Sequence, residues 1–435
     1  PRVPISPLVV AGLGALGSAA WAQSTIEWAS PLDGDFAVAS NWLPMAVPGA
    51  RDTAVLDGFA PYVVSVNAAR MVETVLLPTP QATLFVRPGA ELTVDDLEGE
   101  GTLRLGDGSS TNPAELLVEN RGEIDAEIFL NGTRLARARI VGLGSSHRLG
   151  PNTVVTGTSG SITGPWTSEA TILKDGPGVL SLSGIEIVGG TLRSSGGGLL
   201  VLSGASISDA TIEVGTDARF VTNQSTVVSD TSIVGEFTVR SGQDITFGDG
   251  VVFPDGLVIN EPGSIGDARL FVEEGVTLNG EIRFEGSTSG GQIIGIDDGQ
   301  RLGPDAVITG ERGAIVGQWT SEATIINDGP GGIFLAGLNV VGGTLHSSGG
   351  GRLDIAGAKI RNATIESGPG SAFRTTTDTN ISDTTVVGDF ALEGGRLTFG
   401  DGVELLGDLT IGLPGVAAQT QLYVEDEVTL NSPIR

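Results

Sequence analysis

Gly-Asp-Gly occurs three times, at 106–108, 248–250 and 400–402. An aspartate between glycines could offer a carboxylate to calcium, but calcium needs several oxygen ligands at once. The chain has no tandem G-G-x-G-x-D run to supply them. Asp-Gly is also a favoured pair for positive-φ turns, so these triplets are expected to be turns. Four acidic pairs stand out: Asp95-Asp96, Glu273-Glu274, Asp297-Asp298 and Glu425-Asp426. Glycoside hydrolysis needs two carboxylates facing each other about 5–10 Å apart. Neighbours on a strand point to opposite faces, which suits a solvated edge better than a catalytic pair.

The histidines are His147 and His346. Neither has metal-ligand spacing, and no G-x-S-x-G elbow accompanies them. His147 is expected in a Gly-Ser loop and His346 on the surface. Gly196-Gly197-Gly198 and Gly349-Gly350-Gly351 lack the lysine and following helix of a phosphate cradle and read as tight corners. Lys174 and Lys359 lie 185 residues apart (359 − 174) and do not form the cationic cluster of a polysaccharide lyase. No catalytic, cofactor-binding or metal-ligating residue is therefore nominated, and no cofactor is expected.

The elements that carry these residues follow from composition and period. Of 435 residues 67 are Gly, and each glycine weakens a helix interior by about 1 kcal/mol, so long helices are excluded. Apolar residues make up 40% of the chain, enough for a core. Its length exceeds what one compact core usually supports, which leaves several domains or a solenoid. The 24 basic and 52 acidic residues give −28, a charge that repels nucleic acid and anionic membranes. With no Cys there is neither a disulfide framework nor a thiolate site.

Trp166–Ile172 (WTSEATI) recurs at 319–325, and GGTLRSSGGG at 189–198 recurs as GGTLHSSGGG at 342–351, both at an offset of 153 (319 − 166; 342 − 189). TFGDGV at 246–251 and LFVEEGVTLN at 270–279 recur at an offset of 152 (398 − 246; 422 − 270). A partial third copy lies upstream, where Arg148–Pro151 matches Arg301–Pro304. Within a copy, Ile187, Ile207 and Val228 head similar segments 20 and 21 residues apart, and Val340, Ile360 and Ile381 repeat those steps. A coil of that length cannot bury its own apolar face, so coils must stack. The fold class expected is all-β: a parallel, right-handed β-helix or β-solenoid with an N-terminal β cap. The rival, a chain of β-sandwiches, would show strands every 8–12 residues or so and no 20-residue step. About seven coils fill one copy (153/7 is roughly 22). Some 16 coils over residues 80–435, at ~4.8 Å each, would make a rod roughly 75–80 Å long. Thr191, Thr211, Thr344 and Thr364 are expected to form hydrogen-bonded ladders.

Residues 1–22 read as a partial signal peptide: an apolar, uncharged run ending Ala20-Trp21-Ala22. Residues 23–95 lie outside the repeat and are assigned to the cap, with Trp28, Phe36 and Trp42 as its plug; an aromatic platform for sugars is the alternative. The solenoid then divides into 96–165 (partial first repeat), 166–318 (second) and 319–435 (third, truncated at its C-terminus). No transmembrane segment follows the leader.

The opening run Trp28…Gly34-Asp35-Phe36…Ser40-Asn41-Trp42…Pro48-Gly49…Asp52-Thr53-Ala54-Val55, then LFVRPGAELTV at 84–94, resembles large exported bacterial proteins of the Planctomycetes type, the autotransporter-associated β-strand repeat proteins. That resemblance covers about 70 residues closely and the rest by style of repeat. It implies a secreted or cell-surface, adhesin-like or structural protein; the near-duplicate units and the lack of a catalytic cluster add the expectation that it works without catalysis. Extracellular glycans or cell-surface components are the expected partners. The alternative is a carbohydrate-active β-helix enzyme, either lyase or glycoside hydrolase.

Overall fold

The computed structural model describes residues 23–29, 32–222, 225–263, 265–286, 290–412, 420–431 and 434. The segment read as a signal peptide, 1–22, lies outside them. The chain winds into an all-β solenoid of about 18 turns, with only 1% helix. At ~4.8 Å per turn the rod is roughly 85 Å long. No helix among the described residues is long and apolar enough to cross a membrane.

One turn shows how the sequence makes a coil. Strands Gly178–Ser183, Glu186–Val188 and Thr191–Ser195 form three sides, and Gly198–Ser203 begins the next turn on top of the first. Alternation places Leu180, Leu182, Ile187 and Leu192 inside, each at most 2% exposed. The corners need backbone that ordinary side chains resist. Gly189 (φ 88°) holds one corner, and Asp209 (φ 51°) and Asp230 (φ 44°) hold the matching corner of the next two turns. Asp and Asn are among the few other residues that visit this region readily.

Pairing between turns is parallel and in register. Ile187 sits on Ile207 and Ile207 on Val228, as the 20-residue step predicts. With residues 130–282 taken as the first copy and 283–435 as the second, 153 residues on (130 + 153; 282 + 153), Val340, Ile360 and Ile381 form the same column in the second copy. The threonines stack too: Thr171, Thr191 and Thr211 in one copy, Thr324, Thr344, Thr364 and Thr385 in the next. Their hydroxyls are not hydrogen-bonded to each other among the described residues, so this is a column of half-buried side chains and not the bonded ladder expected.

The two copies do not superpose by a straight slide along the axis. From Ile187 the column runs through Ile207, Val228, Phe247, Val272 and the strand of Gly295 and Ile293, then Ile315 and Leu335. That is seven steps, and it ends on Leu335, the counterpart of Leu182 (182 + 153). Val340, the counterpart of Ile187, lies one strand further on, beneath Ser321, Leu302 and Leu278. The repeat therefore spans seven turns plus one side, not the seven coils expected, and each side of the second copy continues a different side of the first.

The N-terminus closes the stack. Strand Ser24–Trp28 pairs antiparallel with Trp42–Leu43, the one antiparallel contact among the described strand pairs, and parallel with Asp52–Val55. Trp42 and Phe36 are fully buried, with ring centroids 4.9 Å apart, and the Trp42 indole N–H donates to the Phe36 carbonyl at 2.8 Å. Trp28 packs edge-on against Trp42 at 4.9 Å. These rings plug the core, so no exposed stacking platform forms. Coil stacking starts earlier than residue 80: Asp52–Val55, Arg70–Leu77 and Glu91–Gly99 already lie in successive parallel register. Those additional coils account for the longer rod, and the strand Glu91–Gly99 runs across residue 95.

Candidate functional site

The residues singled out by type are dispersed. The Gly-Asp-Gly triplets are turns, with Gly106, Gly108, Gly250 and Gly402 at φ of 72–78°. The Asp107 carboxylate accepts from the N–H groups of Ser109 and Ser110 at 2.9 and 3.1 Å, which lowers its pKa. Asp95-Asp96 and Asp297-Asp298 lie within strands, whereas Glu273-Glu274 and Glu425-Asp426 lie in exposed turns just after one. Among the described residues no three His, Cys, Asp or Glu side chains group to hold a metal ion. The glycine triplets are corners: Gly196, Gly197, Gly349 and Gly350 have φ of 59–80°. His346 is half-buried on the strand Thr344–Ser347 with Nδ1 3.2 Å from Glu366, where the first copy sets Arg193 beside Glu213.

Two polar side chains turn into the core, and one of them departs from expectation. His147 is not in a loop. It lies on the strand Ser146–Leu149, 3% exposed, its ring 4.7 Å from that of fully buried Trp166. Neither ring nitrogen has a hydrogen-bond partner, and burial pushes its pKa down. The second copy keeps the tryptophan as Trp319 and replaces the histidine by Gln300, also fully buried, whose Nε2 donates to the Val272 carbonyl at 3.3 Å. Gly142 and Gly295 leave room for this pair: a Cβ at Gly142 would come within 2.7 Å of the Trp166 indole nitrogen.

Lys174 is fully buried. Its ammonium donates to four main-chain carbonyls: Gly176 at 2.9, Pro177 at 3.2, Asp175 at 3.3 and Gly157 at 3.5 Å. Burial pushes its pKa down against the opposing charge of Asp175. In the second copy Asn327 takes the place and donates to Gly331 and Arg352 carbonyls at 3.1 and 2.7 Å. Both are corner fillers closed to solvent.

What reaches solvent is the lateral faces, and here the copies part. One groove of the second copy, about 700 Å³, holds Arg352, Asp354, Arg374 and Glu393 over a floor of glycines that includes Gly332 and Gly351. Arg352 Nε lies 2.8 Å from Asp354, and Arg374 pairs with Glu393. Burial and the neighbouring Arg352 charge hold the Arg374 guanidinium below its usual value, against the pull of Asp354. The corresponding residues of the first copy are Leu199, Val201, Val221 and Arg240 (352 − 153; 354 − 153; 374 − 153; 393 − 153). A second groove, about 660 Å³, is lined by Gln318, Asn339, Lys359, Arg361 and Asn380, which stand where the first copy has Pro165, Glu186, Ser206, Ser208 and Val227. In the first copy a third groove runs between Arg134, Arg137 and Arg139 and rows of serine. The sequence pattern hides all three because it emphasises what repeats. The signal that finds them is the opposite one: basic residues at positions where the two copies disagree.

No protein family matches the chain, and no curated protein matches it. Among solved structures, the crystal structure of a TibC-catalyzed hyper-glycosylated TibA fragment is 17% identical, with 80% of this chain and 97% of that chain covered and a TM-score of 0.27. So loose an overlap transfers nothing to this chain.

Proposed function

We propose that this chain is an exported structural or adhesive surface protein that works by display, without catalysis. The observation that carries the reading is the division of labour between core and faces. Core columns are copied nearly residue for residue, as in Ile187/Val340 and Trp166/Trp319, while the outward positions of the same strands change from hydroxyl to apolar to charged. A scaffold that holds its core and varies its faces suits weak, distributed contacts, whose strength comes from several modules acting together. Glycans and cell-surface components are the partners this reading assigns.

The groove of Arg352, Asp354, Arg374 and Glu393 favours a second reading, a carbohydrate-active enzyme, because it brings two carboxylates together with guanidinium groups. Incubating the chain with a panel of plant, algal and bacterial polysaccharides and assaying for new reducing ends or unsaturated products separates the two. The display reading expects binding to one or more polymers and no turnover. Turnover abolished by Asp354→Asn or Glu393→Gln would assign the groove to catalysis.

A further inference from the structure

We infer that the first copy carries a binding groove for acidic saccharides, built from Arg134, Arg137 and Arg139 and from stacked hydroxyl columns beside them. The inference rests on the display reading and names one partner class and its place.

The loop between strands Glu127–Asn131 and Ala138–Gly142, with the start of the second strand, places three arginines within six residues, RLARAR at 134–139, in a chain of net charge −28. The loop is braced: Thr133 N–H donates to the Ala136 carbonyl at 2.8 Å, and Ala136 N–H donates to the Thr133 hydroxyl at 3.0 Å. Arg139 is held by Glu115 at 2.9 Å. Arg134 and Arg137 are exposed, and no ion pair engages either among the described residues. Leu135 between them is 89% exposed. An unpaired guanidinium presents a planar fork of donors that matches a carboxylate bidentately.

The groove of about 540 Å³ beside the loop is floored by hydroxyls. Arg139 stacks on Ser161 and Ser161 on Ser181, while Thr163 stacks on Ser183 and Ser183 on Ser203. Each step is one turn, ~4.8 Å, so donors and acceptors recur at even intervals along the axis. A sugar chain has the same character of regularly spaced hydroxyls, and a uronic acid adds the carboxylate that the arginines select.

The duplicate removes both features together. At the equivalent positions Ser161, Thr163, Ser181, Ser183 and Ser203 become Ala314, Val316, Phe334, Ala336 and Ala356, each 153 residues on. The loop sequence 285–290, EGSTSG, contains no basic residue, and Arg139 becomes Gln292. The core residues beneath stay apolar: Ile162/Ile315, Leu182/Leu335 and Leu202/Ile355, all at most 1% exposed. If the arginines and hydroxyls served folding alone, the second copy would need them too.

The test is titration calorimetry of the full chain with a galacturonic acid tetrasaccharide and with a neutral galactose tetrasaccharide, in EDTA so that calcium cannot bridge two acids. The expected result is binding of the acidic sugar and a loss of roughly tenfold to a hundredfold in Arg134→Ala/Arg137→Ala, the cost of charge-assisted hydrogen bonds. Ser183→Ala/Ser203→Ala, which copies the second unit, should weaken it by roughly threefold to tenfold. Both variants should melt as the parent does, since every altered side chain faces outward. No binding of the acidic tetrasaccharide, or binding that the arginine variant leaves unchanged, overturns the inference. A chain that holds only neutral sugars overturns it while leaving the display reading standing. Turnover in the polysaccharide panel with arginine-dependent uronate binding intact overturns the display reading and spares the groove.

Discussion

Residues 160–222 and 313–375 are two answers to one architectural problem. Their inward positions agree, because each coil buries its side chains against the coils above and below and a change must satisfy both. Their outward positions differ freely: Ser181 against Phe334, Val201 against Asp354, Ser206 against Lys359. Two buried polar positions that change between the copies fall between these extremes. Lys174/Asn327 and His147/Gln300 differ in size and chemistry yet stay inside: Lys174 and Asn327 each donate to main-chain carbonyls at a corner, and His147 and Gln300 occupy one core position in the two copies. At the Lys174 corner, identity is set by the main-chain groups that need partners, and charge is negotiable even at full burial.

The largest test of that comparison removes the shared part. Trp166→Ala and Trp319→Ala each empty a fully buried site, and each should cost about 3–5 kcal/mol, read from urea unfolding by circular dichroism. The two costs should agree within about 1 kcal/mol. A clear inequality would show that the copies are not equivalent beneath their surfaces.

Next in size is the corner cation. Lys174→Met leaves four carbonyls without their donor and should cost about 2–4 kcal/mol, whereas Lys174→Asn, which imports the second copy's solution, should recover part of the loss. An Asn variant no better than Met would mean that the two corners are built differently.

The smallest test is the sharpest. The folded-state pKa of His147 lies below its ordinary value, near 6.5 in the unfolded chain, because burial disfavours the imidazolium. The unfolded state therefore binds the proton more readily. The stability from a neutral His147 is fully present above about pH 6.5 and is lost as the pH falls below it, by at most about 1.4 kcal/mol per pH unit. His147→Gln, the residue of the second copy, should flatten that part of the urea-midpoint profile between pH 7.5 and 5. An unchanged slope would mean that His147 is already solvated in the folded chain.

The columns were legible in the sequence because stacking imposes a period: the steps from Ile187 to Ile207 to Val228 are the pitch of the coil. The Trp28, Phe36 and Trp42 plug was legible because three aromatic residues cluster where the repeat has not begun. The buried polar corners were not. Whether Lys174 points in or out depends on the corner taken by Asp175-Gly176-Pro177, and no pattern of residue types reports that. The arginine loop escaped for another reason: it interrupts the repeat, and periodicity is blind to its own interruptions.

The extra side in each repeat fixes the direction in which a difference is displayed. A groove of the first copy and its altered counterpart in the duplicate point outward roughly a third of the circumference apart, like alternate leaves on a stem. A flat partner laid along the rod cannot meet both versions of the same face. It meets the hydroxyl-lined face of one copy or the Asp- and Arg-lined face of the other, according to the side from which it approaches, so a single molecule can offer different chemistries to neighbours on different flanks.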